Sequence, residues 1–179
     1  MARRIPENRF DELVRAATAV FIARGYRLTQ MSDVAEAVGV AKGTLYGYVE
    51  SKDALLMLCL EAGDQTGTIS LPETLPIPTL PSGQLGMLVK GALRGEPAQP
   101  LLAGALERER AEDPIEEMTG IFGELYDLMF ANRHRIKLLD RCMDHPELID
   151  IWQSQGREQS RQSIARYLEG RIEVGQIRP

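Results

Sequence analysis

The clearest pattern near the N-terminus is a recurrence of apolar residues at intervals of three and four between positions 7 and 24. This spacing places their side chains on one face of an α-helix. Acidic residues near its start favour the positive end of the helix dipole. We therefore predict a helix over 7–24, ended by Gly25, whose stripe belongs to a core rather than to a cofactor site. The stripe consists of Phe10, Leu13, Val14, Ala17, Val20 and Phe21.

The stretch from Thr29 to Lys52 predicts two short helices, joined by a tight turn and followed by the start of another. Thr29 is expected to cap the first of them through its hydroxyl group. Gly39 follows the last apolar position of that helix, where a left-handed residue commonly ends a helix. The apolar face of this helix is formed by Val34, Ala35 and Val38.

The second short helix, over 42–49, is too short to be stable alone in water. Three apolar residues are expected to anchor it, namely Val40, Leu45 and Val49. Its other face then looks outward with a cation, a hydroxyl group and two phenols. Such a face suits contact with a polyanion such as DNA. The outward residues are Lys42, Gly43, Thr44, Tyr46, Gly47 and Tyr48.

The run VAEAVGVAKGTLYGYVESKDALL, at 34–56, resembles the helix-turn-helix of TetR-family transcriptional regulators. AATAVFIARGY at 16–26 is similar to the end of that family's first helix, and TQM at 29–31 to the start of its second. The resemblance extends from about Arg9 to Leu56. The residues at family spacing are Gly25, Tyr26, Thr29, Ala35, Gly39, Val40, Gly43, Thr44, Leu45, Tyr46 and Lys52.

The resemblance implies a ligand-responsive regulator, a repressor that binds a two-fold DNA operator as a homodimer and is released by a small apolar effector. It implies a helix-turn-helix domain over 1–52, a linking helix over 53–67 and a ligand-binding and dimerisation domain over 68–179. No cofactor is expected. The expected DNA contacts are Thr29, Gln30, Lys42, Gly43, Thr44, Tyr46, Tyr48 and Lys52.

Four positions in this stretch depart from the usual family pattern. Ala41 replaces a serine and Gln30 replaces a serine or threonine. Val49 replaces a phenylalanine, and Gly47 is smaller than usual. These changes bear on the operator sequence rather than on DNA binding itself.

The formal net charge of −5 would argue against DNA binding, but the charges are unevenly divided. Residues 1–52 carry eight Lys/Arg and six Asp/Glu, a net +2, whereas residues 53–179 carry thirteen and twenty, a net −7. Because phosphate attraction is screened beyond roughly 8–10 Å, the local charge matters more than the total. Lys52 lies near a helix start, where a bound phosphate is favourable, so it is expected on the DNA backbone.

The rest of the chain predicts further helices and no strand. Ser51 is a suitable N-cap for a helix that fades after Gly63. Four prolines within 68–83 exclude helix and central strand, which predicts an extended surface connector, with an SH3-type ligand as the weaker alternative. Apolar spacing then predicts helices over 84–94, 101–111, 114–132, 133–142 and 146–174, with Asp113 and Asp144 as caps. The predicted fold class is all-α.

Methionine and aromatic residues are concentrated in the C-terminal part of the chain. Such side chains line apolar pockets in helical bundles, although each of them could instead fill the core. We expect a low-specificity effector pocket made from Met118, Phe122, Tyr126, Met129, Phe130, Met143 and Trp152. The final segment, EGRIEVGQIRP, is similar to a family segment that precedes the last two helices, which usually form the dimer.

Several function classes lack the residues they would need. The two histidines, His134 and His145, stand in no catalytic constellation, so an enzyme is not expected. Cys59 and Cys142 are far apart, which predicts reduced thiols and no metal site. With neither a signal peptide nor an apolar run of about 20 residues, a soluble cytoplasmic protein is expected. The family resemblance implies that it is bacterial. A nucleoid-like protein, a helical enzyme and a partner-binding adaptor remain as alternatives.

Overall fold

A computed structural model describes residues 7–63, 69–94, 99–149 and 158–178. Within these ranges the regular structure is helical, apart from one isolated parallel bridge between Val49 and Ile77. The all-α prediction is confirmed. The described helices are α1 (Glu7–Leu28), α2 (Met31–Val38), α3 (Lys42–Tyr46), α4 (Lys52–Ala62), α5 (Gln84–Arg94), α6 (Pro100–Leu106), α7 (Pro114–Ala131), α8 (Arg133–Arg141) and α9 (Glu158–Glu173).

The chain divides into two compact units. The first unit combines Met1–Met87 with Asn132–Ile149, and the second combines Leu88–Ala131 with Asp150–Pro179. Helix α8 therefore belongs with the N-terminal helices. This differs from the predicted division, which kept everything after residue 67 in one domain.

The core of the first unit forms where α1 packs against α2, α4 and α8. The predicted stripe of α1 is buried, with Val20 only partly covered. Helix α4 begins after Ser51, whose hydroxyl oxygen accepts the Ala54 N–H at 3.1 Å, as predicted. It is covered on almost every side, since each residue from 54 to 60 is buried. Both cysteines are buried and free, and burial raises the pKa of Cys59 to about 12.

Helix α1 is interrupted at Gly25, which confirms that the regular helix ends there. The φ of 76° and ψ of 173° at Gly25 lie in a region that is essentially open only to glycine. The Asp144 carboxylate accepts the N–H groups of Tyr26 and Arg27, at 3.1 and 2.8 Å. Arg141 donates to the carbonyl oxygens of the preceding turn, at 2.9 and 3.2 Å. The turn after α8 therefore closes the end of α1.

This use of Asp144 corrects the prediction that it caps a helix starting at residue 146. Residues 142–148 form turns, because the Asp144 carboxylate is occupied by α1. Part of the predicted last helix, including Trp152, lies outside the described residues. The described part, α9, ends at Glu173, and Gly175, the predicted terminator, follows two residues later with a φ of 73°.

The core of the second unit is formed by residues of α6, α7 and α9, namely Leu102, Ala105, Ile121 and Tyr167. The prediction that α6 continues to residue 111 is wrong. The buried guanidinium of Arg171 donates hydrogen bonds to carbonyl oxygens at the end of α6, including that of Ala105 at 2.9 Å. It also pairs with Glu117 at 2.9 Å. Burial alone would raise the pKa of Glu117, but the hydrogen bond from Arg171 holds it below the usual value.

The helix starts follow local capping chemistry where the sequence supplies it. Asp113 Oδ1 accepts the N–H groups of Ile115 and Glu116, at 2.9 and 3.0 Å, so the predicted cap of α7 is confirmed.

Among the described helices, none combines the length and the apolar character that crossing a membrane requires.

Candidate nucleic-acid interface

The tight turn between α2 and α3 forms as the sequence predicts. Gly39 adopts the left-handed conformation, with φ 72° and ψ 37°. Its N–H donates to the Glu36 oxygen at 3.0 Å, and the Val40 N–H donates to the Ala35 oxygen at 2.9 Å. This pair of bonds satisfies the last carbonyls of α2 and reverses the chain. Helix α3 begins three residues after Gly39.

Helix α3 presents a polar face to solvent. Lys42, Gly43 and Thr44 are exposed, and Tyr46 is 41% exposed. The Lys42 ammonium lies 5.9 Å from the centre of the Tyr46 ring. On the opposite side Leu45 is fully buried, so the helix is held by one face and open on the other. The predicted orientation of these residues is confirmed.

Tyr48 does not share that outward face, and the prediction that it does is wrong. Its side chain is only 3% exposed and stacks on Phe10 at 6.1 Å between ring centres. The physical reason is that α3 ends at Tyr46 instead of continuing to Val49. Beyond Gly47 the backbone leaves the helical path, so the side chain at 48 turns into the core. Burial raises the pKa of its hydroxyl group.

Thr29 also lies inside the protein. Its hydroxyl group donates to the Gly25 oxygen at 2.6 Å and is fully buried. The cap of α2 is Gln30, not Thr29 as predicted. The Gln30 N–H donates to the Asp33 carboxylate at 2.8 Å, which ties the start of α2. Gln30 itself is exposed beside the start of α2.

Lys52 is engaged by the protein rather than directed to solvent alone. Its ammonium group donates to the carbonyl oxygens of Tyr26 and Thr29, at 2.8 and 3.0 Å. It also lies 4.1 Å from the centre of the Tyr26 ring. These bonds join the start of α4 to the connection between α1 and α2. The DNA contact expected of Lys52 stays a prediction, and its charge already has partners within the chain.

A partly buried polar cluster, in which only His145 is fully covered, also contacts this connection. The Tyr26 hydroxyl group donates to Asp53, and the His145 ring meets Tyr26 edge-on at 4.4 Å. His145 Nε2 lies 3.7 Å from the Asp53 carboxylate, and its Nδ1 accepts the Glu147 N–H at 3.1 Å. Burial and the neighbouring Asp53 raise the pKa of Tyr26. No local pattern predicts this cluster, because its members are far apart in the chain.

The expected effector residues are not gathered into a pocket by the described part of the chain. Met118 packs against the core of the second unit, and Met143 belongs to the first unit. Trp152 lies outside the described residues. An open pocket of about 230 Å³ in the second unit is lined instead by charged residues such as Arg108 and Arg166, together with apolar ones such as Leu106 and Val174. The remaining expected residues are exposed on α7, namely Phe122, Tyr126, Met129 and Phe130.

The described ranges contain no candidate metal site. Within them, no group of three or more histidine, cysteine and acidic side chains is arranged to hold a metal ion. The arrangement around α3 instead provides a small convex polar surface on a rigid support. Its hydrogen-bonding groups and its cation are suited to contacts with phosphate and base edges.

The N-terminal segment is similar to known regulators. Residues 13–58 match the family described as bacterial regulatory proteins, tetR family. The HTH-type transcriptional repressor KstR2 of Mycolicibacterium smegmatis is 35% identical over 51 residues. The uncharacterized HTH-type transcriptional regulator YfiR of Bacillus subtilis is 32% identical over 68 residues. These stretches cover 28% and 38% of this chain but only 25% and 33% of the relatives, so the likeness concerns only part of each protein.

A solved structure of a protein assigned to the TetR family of transcriptional regulators, from Mesorhizobium loti, is also similar. The match covers 96% of this chain and 72% of that chain, at 20% identity and a TM-score of 0.40. That TM-score is too low to bear on the fold, so the assignment rests on the N-terminal region. The names of both relatives describe transcriptional regulators. Residues 13–58 therefore resemble the tetR family of bacterial regulatory proteins.

Proposed function

We propose that this protein is a DNA-binding transcriptional repressor that places α3 in the major groove of a two-fold operator. The observation that carries the proposal is the exposed polar face of α3 on a fully buried anchor, Leu45. A short helix held in this way can enter a groove about 12 Å wide. The name of one relative, a transcriptional repressor, supports the repressor role.

The exposed residues of α3, together with Gln30, have different proposed roles in DNA binding. Lys42 supplies the charge for a phosphate or a guanine edge, and Thr44 and Tyr46 supply hydroxyl groups. A Cβ at Gly43 would meet no protein atom within 4 Å, so this position offers a close approach to DNA. Gln30 adds an amide at the start of α2. In this proposal Thr29, Tyr48 and Lys52 support these residues from inside rather than contact the operator.

We propose that a second copy of the chain covers an apolar stripe on α7. The stripe consists of Ile115, Phe122, Tyr126, Met129 and Phe130, which are between 42% and 74% exposed. Ile121, about 100° around the helix from Phe122, is buried in the core. Helix α7 therefore has two apolar faces, and the structure buries only one within its own unit. No charged residue belongs to the stripe.

The exposed area supports self-association. A large aromatic side chain carries about 150–250 Å² of surface, so the partly exposed stripe offers on the order of 500 Å². Two facing copies then bury on the order of 1,000 Å², which is about the lower limit of a specific interface. A two-fold operator also requires two copies of the helix-turn-helix, since one short helix reads only one half-site.

We also propose that a small effector releases the DNA. The support is the resemblance of the N-terminal region to the tetR family, which implies a ligand-responsive regulator, and the second unit is the part of the chain available for such a role. Release requires the effector to favour one of two conformations by a few kcal/mol. The repressor would act in the bacterial cytoplasm, where the DNA is.

The experiment that tests the DNA face compares Lys42→Ala with Lys52→Met. Binding to a labelled pool of random 30-base-pair duplexes is followed by fluorescence anisotropy over a range of salt concentrations. Lys42→Ala is expected to weaken binding and to lower the salt slope by about one ion, because one phosphate contact is lost. Lys52→Met is expected to leave the slope unchanged and to lower the melting temperature, because its carbonyl partners lie within the protein.

Tyr48→Phe serves as the control, since it alters a buried hydroxyl group without removing the ring that stacks on Phe10. It should bind like the wild type. An unchanged salt slope in Lys42→Ala, together with a reduced slope in Lys52→Met, would reverse the assignment of the contacting residue. Equal binding by all variants would exclude α3 as the DNA face.

A further inference from the structure

The proline-rich segment does more than connect α4 to α5. Residues 69–83, here called the strap, form no helix, as predicted, but they bend at 73–76 and return to the end of α3. The Ile77 N–H donates to the Tyr48 oxygen at 2.8 Å, and the Ile77 oxygen accepts the Glu50 N–H at 2.9 Å. These bonds form the isolated parallel bridge. The strap therefore pairs with the backbone that follows the DNA-facing helix.

A second set of contacts joins the strap to the start of α4. The Thr79 N–H donates to the Glu50 carboxylate at 2.9 Å, and the Thr79 hydroxyl group donates to Ser51 Oγ at 2.8 Å. That same oxygen caps α4 by accepting the Ala54 N–H. The Ile77 side chain is itself buried. The turn over 47–51 is thus held on both sides, by its own helices and by the strap.

The composition of the strap suits this task. Pro76 and Pro78 have no N–H group, so Ile77 carries the only backbone donor of the three residues, and that donor is used. Proline also limits the freedom of the unfolded chain, which lowers the entropic cost of placing the strap. Both ends are tied within the first unit, by Ile69 N–H to Asp11 at 3.3 Å and by Gly83 N–H to Glu147 at 2.7 Å.

Helix α3 needs such support. It has five residues, which is far below the length at which a helix is stable alone. Its exposed face cannot contribute packing, since it must stay open. The orientation of that face therefore depends on the turn over 47–51. A shift of this turn would move Lys42 and Thr44 relative to the groove.

We propose that the strap is a positioning element of the DNA interface, with Ile77 and Thr79 as its positioning residues. They do not contact DNA, yet they set the orientation of α3 through residues 48–51. The part of this inference that concerns DNA rests on the proposed function. The clamping of the turn does not, because it concerns the free protein.

The test uses the full chain with Ile77→Ala and Thr79→Val, a conservative rescue, Thr79→Ser, and a control on the exposed part of the strap, Thr74→Val. Amide hydrogen exchange of residues 47–53 is measured without DNA. Ile77→Ala loses buried side-chain packing and Thr79→Val loses one hydrogen bond, so each should exchange at least about threefold faster there. Thr79→Ser and Thr74→Val should exchange like the wild type.

The same variants are then titrated with the random duplex pool, at a temperature at which circular dichroism shows each to be folded. Ile77→Ala and Thr79→Val should bind about threefold to tenfold more weakly, and Thr79→Ser should restore the affinity. Unchanged exchange in both variants would overturn the clamp. Faster exchange with unchanged affinity would overturn the positioning role. If the wild type binds no duplex, the proposed function and the positioning role both fail, and the exchange result decides the clamp alone.

Discussion

Replacement of Gly25 by alanine is expected to lower the free energy of unfolding by about 2–4 kcal/mol. The φ and ψ of this residue are strained for any side chain. In addition, a Cβ atom there would lie 2.9 Å from the carbonyl oxygen of Arg141, which is backbone and cannot rotate away. Urea denaturation followed by circular dichroism measures the loss. The DNA affinity should fall as well, since Thr29 and Lys52 both bond to carbonyls in this turn.

Gly39→Ala is the matched control for this substitution. Gly39 has a similar φ of 72°, but a Cβ at that position would have no neighbour within 4 Å. It should therefore cost only the left-handed penalty, about 1–2 kcal/mol. An equal loss in both variants would mean that the contact between the end of α1 and Arg141 is not tight. A smaller loss at Gly25 than at Gly39 would contradict the described packing of α8 on α1.

Replacement of Tyr126 by aspartate is expected to convert a dimer into a monomer. Binding to a two-fold duplex should weaken by about 100-fold or more, because the second helix-turn-helix is no longer linked to the first. Tyr126 is 67% exposed at the centre of the α7 stripe. A carboxylate there would be buried without a partner in the dimer. Light scattering after gel filtration gives the mass, and anisotropy gives the affinity.

Met87→Asp is the control for the α7 stripe, because Met87 is 68% exposed but lies on α5. It should remain a dimer. A dimeric Tyr126→Asp would show that the subunits associate through another face. A monomeric wild type would show that a different partner, or none, covers the stripe, and the two-headed binding proposed here would fail with it.

Local chemistry explains which elements the sequence predicts. Gly39, Ser51 and Asp113 act on backbone groups within a few residues of themselves, so their capping roles follow from the neighbouring sequence. The outward position of Lys42 and Thr44 also follows from the local sequence. Leu45 anchors the buried side of α3, so these two residues lie on its exposed side. The all-α class is predicted from apolar spacing of three and four residues and from the lack of alternating strand patterns.

The parts that sequence reasoning misplaced depend on distant contacts. Tyr48 turns inward because α3 ends early, where a strand-like pairing with residue 77 begins. Lys52 bonds to carbonyls 26 and 23 residues earlier in the chain. The short local window around each residue contains no sign of these partners. A family pattern likewise gives the position of a lysine but not the atoms that its ammonium group binds.

Helix α7 shows a further limit of periodicity. The pattern correctly predicts a helix with a wide apolar side. It does not tell which apolar positions face the core, because both faces of α7 carry large apolar residues. The structure buries Ile121 and exposes Phe122 and Tyr126, so residues expected in a pocket lie on the surface.

The central claim is that the exposed face of α3 reads a two-fold DNA sequence. Its most direct test is repeated selection of bound duplexes from a random 30-base-pair pool, with the wild type and a Lys42→Ala, Thr44→Ala double variant in parallel. The wild type should enrich one sequence with two-fold symmetry, and the double variant should not. Enrichment of the same sequence by both proteins, or of no sequence by the wild type, would contradict it.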